Sequence, residues 1–190
     1  MICCDKLNIA YHPHFLTVSE SNQYFNQLIN SICWQQESYK MFGKSVLAPR
    51  LVAWHGDEDA IYQYSGVKHQ PSPWNEPLLQ LKHKVEVLIR HPFNSVLLNL
   101  YRDGQDSMGW HTDNERELSD KPIIASITLG AERKFLLRNN QTKQRTQLTL
   151  EQGSVLIMQG DTQNHYKHSI PKTNAIIGPR INLTFRLIKF

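Results

Sequence analysis

From Ser95 to Arg186 the chain breaks into short apolar runs separated by turn signals, and none of those runs carries a helical stripe. The runs are Ser95–Tyr101, Ile123–Leu129, Lys134–Leu137, Ser154–Met158 and Arg180–Arg186. Between them lie the polar tip Asn139–Arg145 and the turns at Gly153 and Gly160-Asp161. Strands this short and closely spaced satisfy their backbone groups by pairing with one another, which favours a sandwich or barrel. Helical stripes occur earlier. Thr17 and Glu20 open one through Tyr24, Phe25, Leu28, Ile29 and Ile32, expected to give way near Ser38. Leu78, Leu81, Val85, Leu88 and Ile89 mark a second. The expected class is α+β, mainly β, with the helices packed on one outer face.

Just past the first of these runs, His111 and Asp113 stand two residues apart, so in extended chain one imidazole and one carboxylate share a face. Two ligands do not hold a metal, and a third is needed. His168 is the candidate, with His165 a nearer competitor. Two imidazoles and a carboxylate on one side of a metal leave open positions opposite, the facial set of non-haem Fe(II) oxygenases. A 2-oxo acid co-substrate with a distal carboxylate also needs fixed cations, best supplied by the forked guanidinium of Arg. The last strand places Arg180, Asn182, Thr184 and Arg186 on one face, with no Lys or Glu among them. Asn99 and Tyr101 share a face on the strand before the metal pair. A double-stranded β-helix of jelly-roll type suits a metal at its mouth.

The 190 residues, 40% of them hydrophobic, fit one domain with a substantial core. A net charge of +4 favours a polyanionic partner such as nucleic acid. The three cysteines, Cys3, Cys4 and Cys33, have neither zinc-ribbon nor disulfide-framework spacing, which points to a reducing compartment. Without an apolar run near the roughly 18 residues of a membrane span, a soluble, unexported protein with no membrane partner is expected. Nothing in the sequence requires an oligomer, so a monomer is expected. His12-Pro13-His14 reads as a surface turn. Phe42 lies between Lys40 and Lys44 in a loop-like run, where an aromatic wedge for a base step would sit or a Phe would simply tuck in. Tyr62 and Tyr64 share a strand face, either as cross-strand packing or as a wall for a planar ring.

Three ordered motifs, N-L-Y-R-D-G-Q-D-S-M-G-W-H-T-D-N-E-R-E-L, H-Y-K-H-S-I-P and P-R-I-N-L-T-F-R, together resemble the AlkB family of Fe(II)- and 2-oxoglutarate-dependent nucleic-acid dealkylases. The resemblance spans roughly residues 40 to 190. It implies a jelly-roll core over 95–190, preceded in 1–94 by a helical, nucleotide-recognition portion. It also implies Fe(II), 2-oxoglutarate and O2 as cofactors, with His111, Asp113 and His168 as iron ligands. The family pattern puts the third ligand just before Ser-Ile-Pro, which selects His168 over His165. Asn99, Tyr101, Arg180, Asn182, Thr184 and Arg186 match positions that hold 2-oxoglutarate.

The N-terminal portion resembles in particular the branch acting on duplex DNA. Met41-Phe42-Gly43 looks like its hydrophobic finger, and Tyr62, Tyr64, Ser65 and Glu115 match its base pocket. Asn114 stands where those relatives commonly carry Asp, which keeps an acceptor and loses a charge. The implied activity is oxidative removal of methyl from 1-methyladenine and 3-methylcytosine, releasing formaldehyde, succinate and CO2. Alkylated DNA in duplex form is the expected partner, with RNA as the alternative. Alternatives are an oxygenase acting on RNA or protein, and a catalytically silent nucleic-acid-binding jelly roll. The expected location is cytoplasmic, or nuclear in a eukaryote.

Overall fold

Both apolar stripes become helices, and the short runs become strands of two facing sheets. The structure, a computed structural model, describes residues 6–41, 44–64, 67–115 and 117–189. In chain order the elements are β1 (Asn8–His12), α1 (Val18–Ser31), β2 (Ser38–Met41), β3 (Lys44–Leu47), β4 (Leu51–Gly56), β5 (Tyr62–Tyr64), β6 (Val67–His69) and α2 (Glu76–Ile89). There follow β7 (Ser95–Tyr101), β8 (Met108–His111), β9 (Ile124–Gly130), β10 (Arg133–Asn139), β11 (Arg145–Leu150), β12 (Val155–Gln159), α3 (Thr162–His165), β13 (Tyr166–Ile170) and β14 (Arg180–Arg186).

The larger sheet runs β1-β12-β9-β14-β7-β4 and the smaller one β11-β10-β13-β8, all antiparallel neighbours. The strand spacing favours a sandwich or barrel, and the sheets form the jelly roll expected from a metal at the mouth and from the family resemblance. The alternation along β14 decides what lies on each side of the larger sheet. Ile181, Leu183 and Phe185 join Val96, Leu98, Ala125, Ile127, Val155 and Ile157 on the outer face. There they meet Leu28 of α1 and Leu78, Leu81 and Val85 of α2, all fully buried. Each such side chain contributes about 1.5–3 kcal/mol of burial. The opposite positions face inward, where Tyr101, Phe135, Leu137, Leu156, Met158 and Ile170 form a second core between the sheets.

The helices are capped as their sequences suggest. Thr17 and Glu20 form a reciprocal capping box, with the Glu20 N–H donating to Thr17 Oγ1 at 3.2 Å and the Thr17 N–H to Glu20 Oε2 at 2.9 Å. Asn75 caps α2, and Arg90 closes it in the left-handed region at φ 53°.

Three expectations are corrected. α1 stops at Ser31 instead of near Ser38, because the backbone of Gln35 bonds both ways with Val52 at 3.0 and 2.8 Å and draws the chain onto β4. Leu88, read as part of the second stripe, is 40% exposed, and α2 buries Leu78, Leu81 and Val85. Of the run read as a loop, Lys40 and Met41 end β2 and Lys44 opens β3, where they are paired strand. β1 and β4, from the first 94 residues, are the edge strands of the larger sheet. The expectations for Phe42, Gly43 and Ser65 lie outside the described residues.

Candidate active site

Three segments converge between the sheets. His111 ends β8 and His168 lies on β13, and the two are direct cross-strand partners. Their ring centroids lie 4.1 Å apart. Asp113 follows β8 by two residues and brings its carboxylate to both: Oδ1 lies 3.9 Å from His111 Nε2 and Oδ2 3.7 Å from His168 Nε2. The possible ligand atoms of the three residues all fall within 4.8 Å of one another. The competing His165 lies in α3, outside this group.

The protonation pattern suits a cation. His111 Nδ1 lies 2.9 Å from the Gly109 carbonyl, which only accepts, so Nδ1 carries a hydrogen and Nε2 is the ring nitrogen left to face a metal. Burial pushes His168 down to about 3; neighbouring His111 and Arg186 add to the effect while Asp113 opposes it, leaving the imidazole neutral. Burial alone would raise Asp113. Arg186 first, then His168 and His111, outweigh it and hold the carboxyl below its usual range. Arg186 Nη2 donates to Asp113 Oδ1 at 2.7 Å. Of the two arginines on β14, Arg186 therefore grips the carboxylate of the triad.

Arg180 is fully buried behind Tyr101 and Asn182, both of which line the cavity. Its Nη2 donates to Thr128 Oγ1 at 2.9 Å and to Asn182 Oδ1 at 3.0 Å, both neutral acceptors. Its Nε and Nη1 meet no acceptor at hydrogen-bond geometry, and no carboxylate pairs with it among the described residues. Burial pushes it down to about 10; Tyr101 opposes the fall and Arg133 adds to it. A buried guanidinium without an anion is costly, and a carboxylate arriving from a ligand would relieve it.

Tyr101 lies between two guanidinium groups, 5.3 Å from Arg180 and 5.4 Å from Arg133. Asn99 Oδ1 accepts from Arg50 Nε at 2.8 Å, and Asn182 Nδ2 donates to Thr184 Oγ1 at 2.9 Å. Two imidazoles and a carboxylate facing a cavity with buried, uncompensated positive charge fit both Fe(II) and an anionic chelating co-substrate.

Glu115 also lines the cavity, as do Glu37 and Trp54. Asn114 is exposed and accepts from Thr112 Oγ1 at 2.7 Å. Tyr62 and Tyr64 are the ends of β5, paired to β6. Sequence reasoning passed over Arg50, Ser126, Thr128 and Gln163. Ser126 and Thr128 were signalled by polar positions at period two inside the apolar run Ile124–Leu129, on the same side as Asn182.

The chain matches the 2OG-Fe(II) oxygenase superfamily over residues 8–186. It is 38% identical over 186 residues to the alpha-ketoglutarate-dependent dioxygenase alkB homolog 3 of Bos taurus, covering 93% of this chain and 64% of that protein. With the DNA oxidative demethylase ALKBH2 of Homo sapiens it shares 38% identity over 157 residues, 78% of this chain and 60% of that protein. The chain thus spans slightly less than two thirds of the length of these relatives. The solved structure of OsALKBH1 superposes with a TM-score of 0.68 over 95% of this chain and 98% of that one, at 19% identity, so the fold is shared.

Proposed function

We propose, for a chain that belongs to the 2OG-Fe(II) oxygenase superfamily and within it to the AlkB family, the oxidative removal of N-methyl groups from 1-methyladenine and 3-methylcytosine in DNA. The observation that carries the proposal is the triad His111, Asp113 and His168 set beside the uncompensated Arg180. Bound Fe(II), with 2-oxoglutarate and O2, supplies the oxidation that hydroxylates the methyl carbon; the product sheds formaldehyde, and succinate and CO2 are the co-products.

The chain's own groups bind and orient. His111 and His168 offer Nε2 and Asp113 its carboxylate, which Arg186 keeps ionised and aimed. Arg180, with Asn99, Tyr101, Asn182 and Thr184, holds 2-oxoglutarate. Glu115, Asn114, Tyr62, Tyr64 and Ser65 receive the extruded base, while Phe42 and Gly43 fill the gap left in a duplex.

A nucleic-acid partner is supported by the outer face of the smaller sheet. Arg145, Arg138 and Lys167 stand directly opposite one another on β11, β10 and β13. Like charges so placed cost roughly 0.2–1 kcal/mol per pair. The four strands of that sheet carry no Asp or Glu to offset them. Trp110 lies beside the row, 4.5 Å from Arg138 and 5.8 Å from Arg145. A phosphate backbone matches a row of this kind, and a half-buried indole beside it offers an edge to an unpaired base.

The test is mass spectrometry of oligonucleotides carrying one 1-methyladenine, as duplex DNA, single-stranded DNA and RNA. Loss of one methyl mass from DNA, abolished by chelation, is expected, and Phe42→Ala should slow the duplex more than the single strand. Succinate formation with all three oligonucleotides unchanged would refute this substrate.

A further inference from the structure

Two of the three ligand residues are fixed by the sheet, since His111 and His168 face each other across the β8–β13 ladder. The third is not. Asp113 lies past the end of β8, in a segment with neither helix nor strand. Its carboxylate is gripped by Arg186, and its main-chain N–H donates to Oε1 of Gln163 at 3.0 Å. We infer that Gln163 is a positioning residue for the metal, tying the main chain of the carboxylate ligand to the turn that leads into the strand of the second histidine. This rests on the metal reading above.

Gln163 is 2% exposed and sits in α3, immediately before β13. The direction of its carboxamide follows from chemistry: the Asp113 N–H only donates, so the oxygen must face it. Its Nε2 points at Met158 Sδ at 3.5 Å, a weak acceptor. The oxygen is therefore the functional half of this side chain. The turn that presents it is itself anchored. Thr162 Oγ1 accepts from the Asn8 N–H at 2.9 Å and donates to the Gln159 carbonyl at 2.7 Å, and Asn164 Nδ2 donates to the Asp120 carbonyl at 3.2 Å.

Without the Gln163 oxygen, the Asp113 N–H is a buried donor lacking its partner. The segment carrying Asp113 is then held at this residue chiefly through Arg186, which pulls on the carboxylate and not on the main chain. Groups behind a metal ligand commonly change metal affinity 10- to 100-fold when removed. A buried Gln that merely fills volume would be replaceable by Leu with no change in metal affinity.

The experiment is an anaerobic Mn(II) titration, followed by electron paramagnetic resonance, of the wild-type protein, Gln163→Leu and Gln163→Glu, with 2-oxoglutarate affinity measured at saturating Mn(II). Gln163→Leu should weaken Mn(II) about 10- to 100-fold. Gln163→Glu, whose carboxylate accepts the same N–H, should recover most of that loss, and 2-oxoglutarate affinity should hold in both. Wild-type Mn(II) affinity in Gln163→Leu, or equal weakness in Gln163→Glu, would overturn the inference. A wild-type protein that binds no Mn(II) would instead remove the metal reading beneath it. If Gln163→Leu does not fold, amide exchange in the wild-type protein decides: the Asp113 N–H should be protected despite lying outside any helix or strand, and free exchange would refute its anchoring.

Discussion

Arg180→Met separates what the buried cation costs the fold from what it contributes to the ligand. The lowering of the guanidinium to about 10, at roughly 1.4 kcal/mol for each tenfold, is a cost of about 3 kcal/mol. Because the folded value is lowered, that cost is present in full at any pH below about 10 and is absent from the variant. Against it, Thr128 Oγ1 and Asn182 Oδ1 each lose a donor, at about 1 kcal/mol apiece. The two sides nearly cancel, so without ligand the variant should melt within a few degrees of wild type. With Mn(II) fixed and 2-oxoglutarate added to about 100 times its Kd, the wild-type protein should gain about 2.7 kcal/mol. For a chain of this size that is about 5–10 °C in Tm. The variant should show almost none of this increment in a thermal-shift or calorimetric melt. An undiminished 2-oxoglutarate increment would refute Arg180 as its anchor, and a fall of many degrees without ligand would refute the charge argument.

Asp113→Ala breaks a buried ion pair at Arg186 and should cost about 3–5 kcal/mol. His111→Ala, at a partly exposed ligand, should cost far less while equally abolishing metal binding, and denaturant melts with Mn(II) titrations compare the two. Glu20→Ala removes the capping box of α1, about 1 kcal/mol, read as a drop of about 2–4 °C. Hydrogen bonds from the Thr17 backbone and side chain, then from Lys84, hold Glu20 at about 2. Its lowered value means that its stabilisation is present above the unfolded carboxylate range and is lost as the pH falls toward 2. Arg138→Ala should weaken DNA binding alike across sequences and reduce the slope of log affinity against log salt by about 1, measured by fluorescence anisotropy at several salt concentrations.

The jelly roll was legible because its strands announce themselves by period two. β14 shows it most clearly, with Ile181, Leu183 and Phe185 toward the helices and, on the other face, Asn182, Thr184 and Arg186 lining the cavity and Arg180 hydrogen-bonded to Asn182 behind it. The histidines were legible as types at a spacing, but their mutual geometry depends on the β8–β13 register, which no local pattern encodes. The end of α1 was misread because the competing interaction, Gln35 with Val52, is a pairing between distant segments. Arg186 was grouped with Arg180 as one or both of the cations for a ligand carboxylate; in the structure its Nη2 also donates to Asp113 Oδ1 at 2.7 Å, a neighbour that the sequence pattern does not show. Gln163 escaped notice for the same reason. A lone Gln beside a turn carries no pattern, and its role appears only once the main chain of Asp113 lies against it.

In the function proposed above, this site couples 2-oxoglutarate oxidation to removal of a methyl group from a nucleic-acid base. The most direct measurement is the ratio of formaldehyde to succinate released with a 1-methyladenine oligonucleotide, Fe(II), 2-oxoglutarate and O2, for the wild-type protein and His111→Ala. Equal amounts of both products from the wild type, and neither from the variant, are predicted. Succinate without formaldehyde, or products undiminished in His111→Ala, would contradict the account.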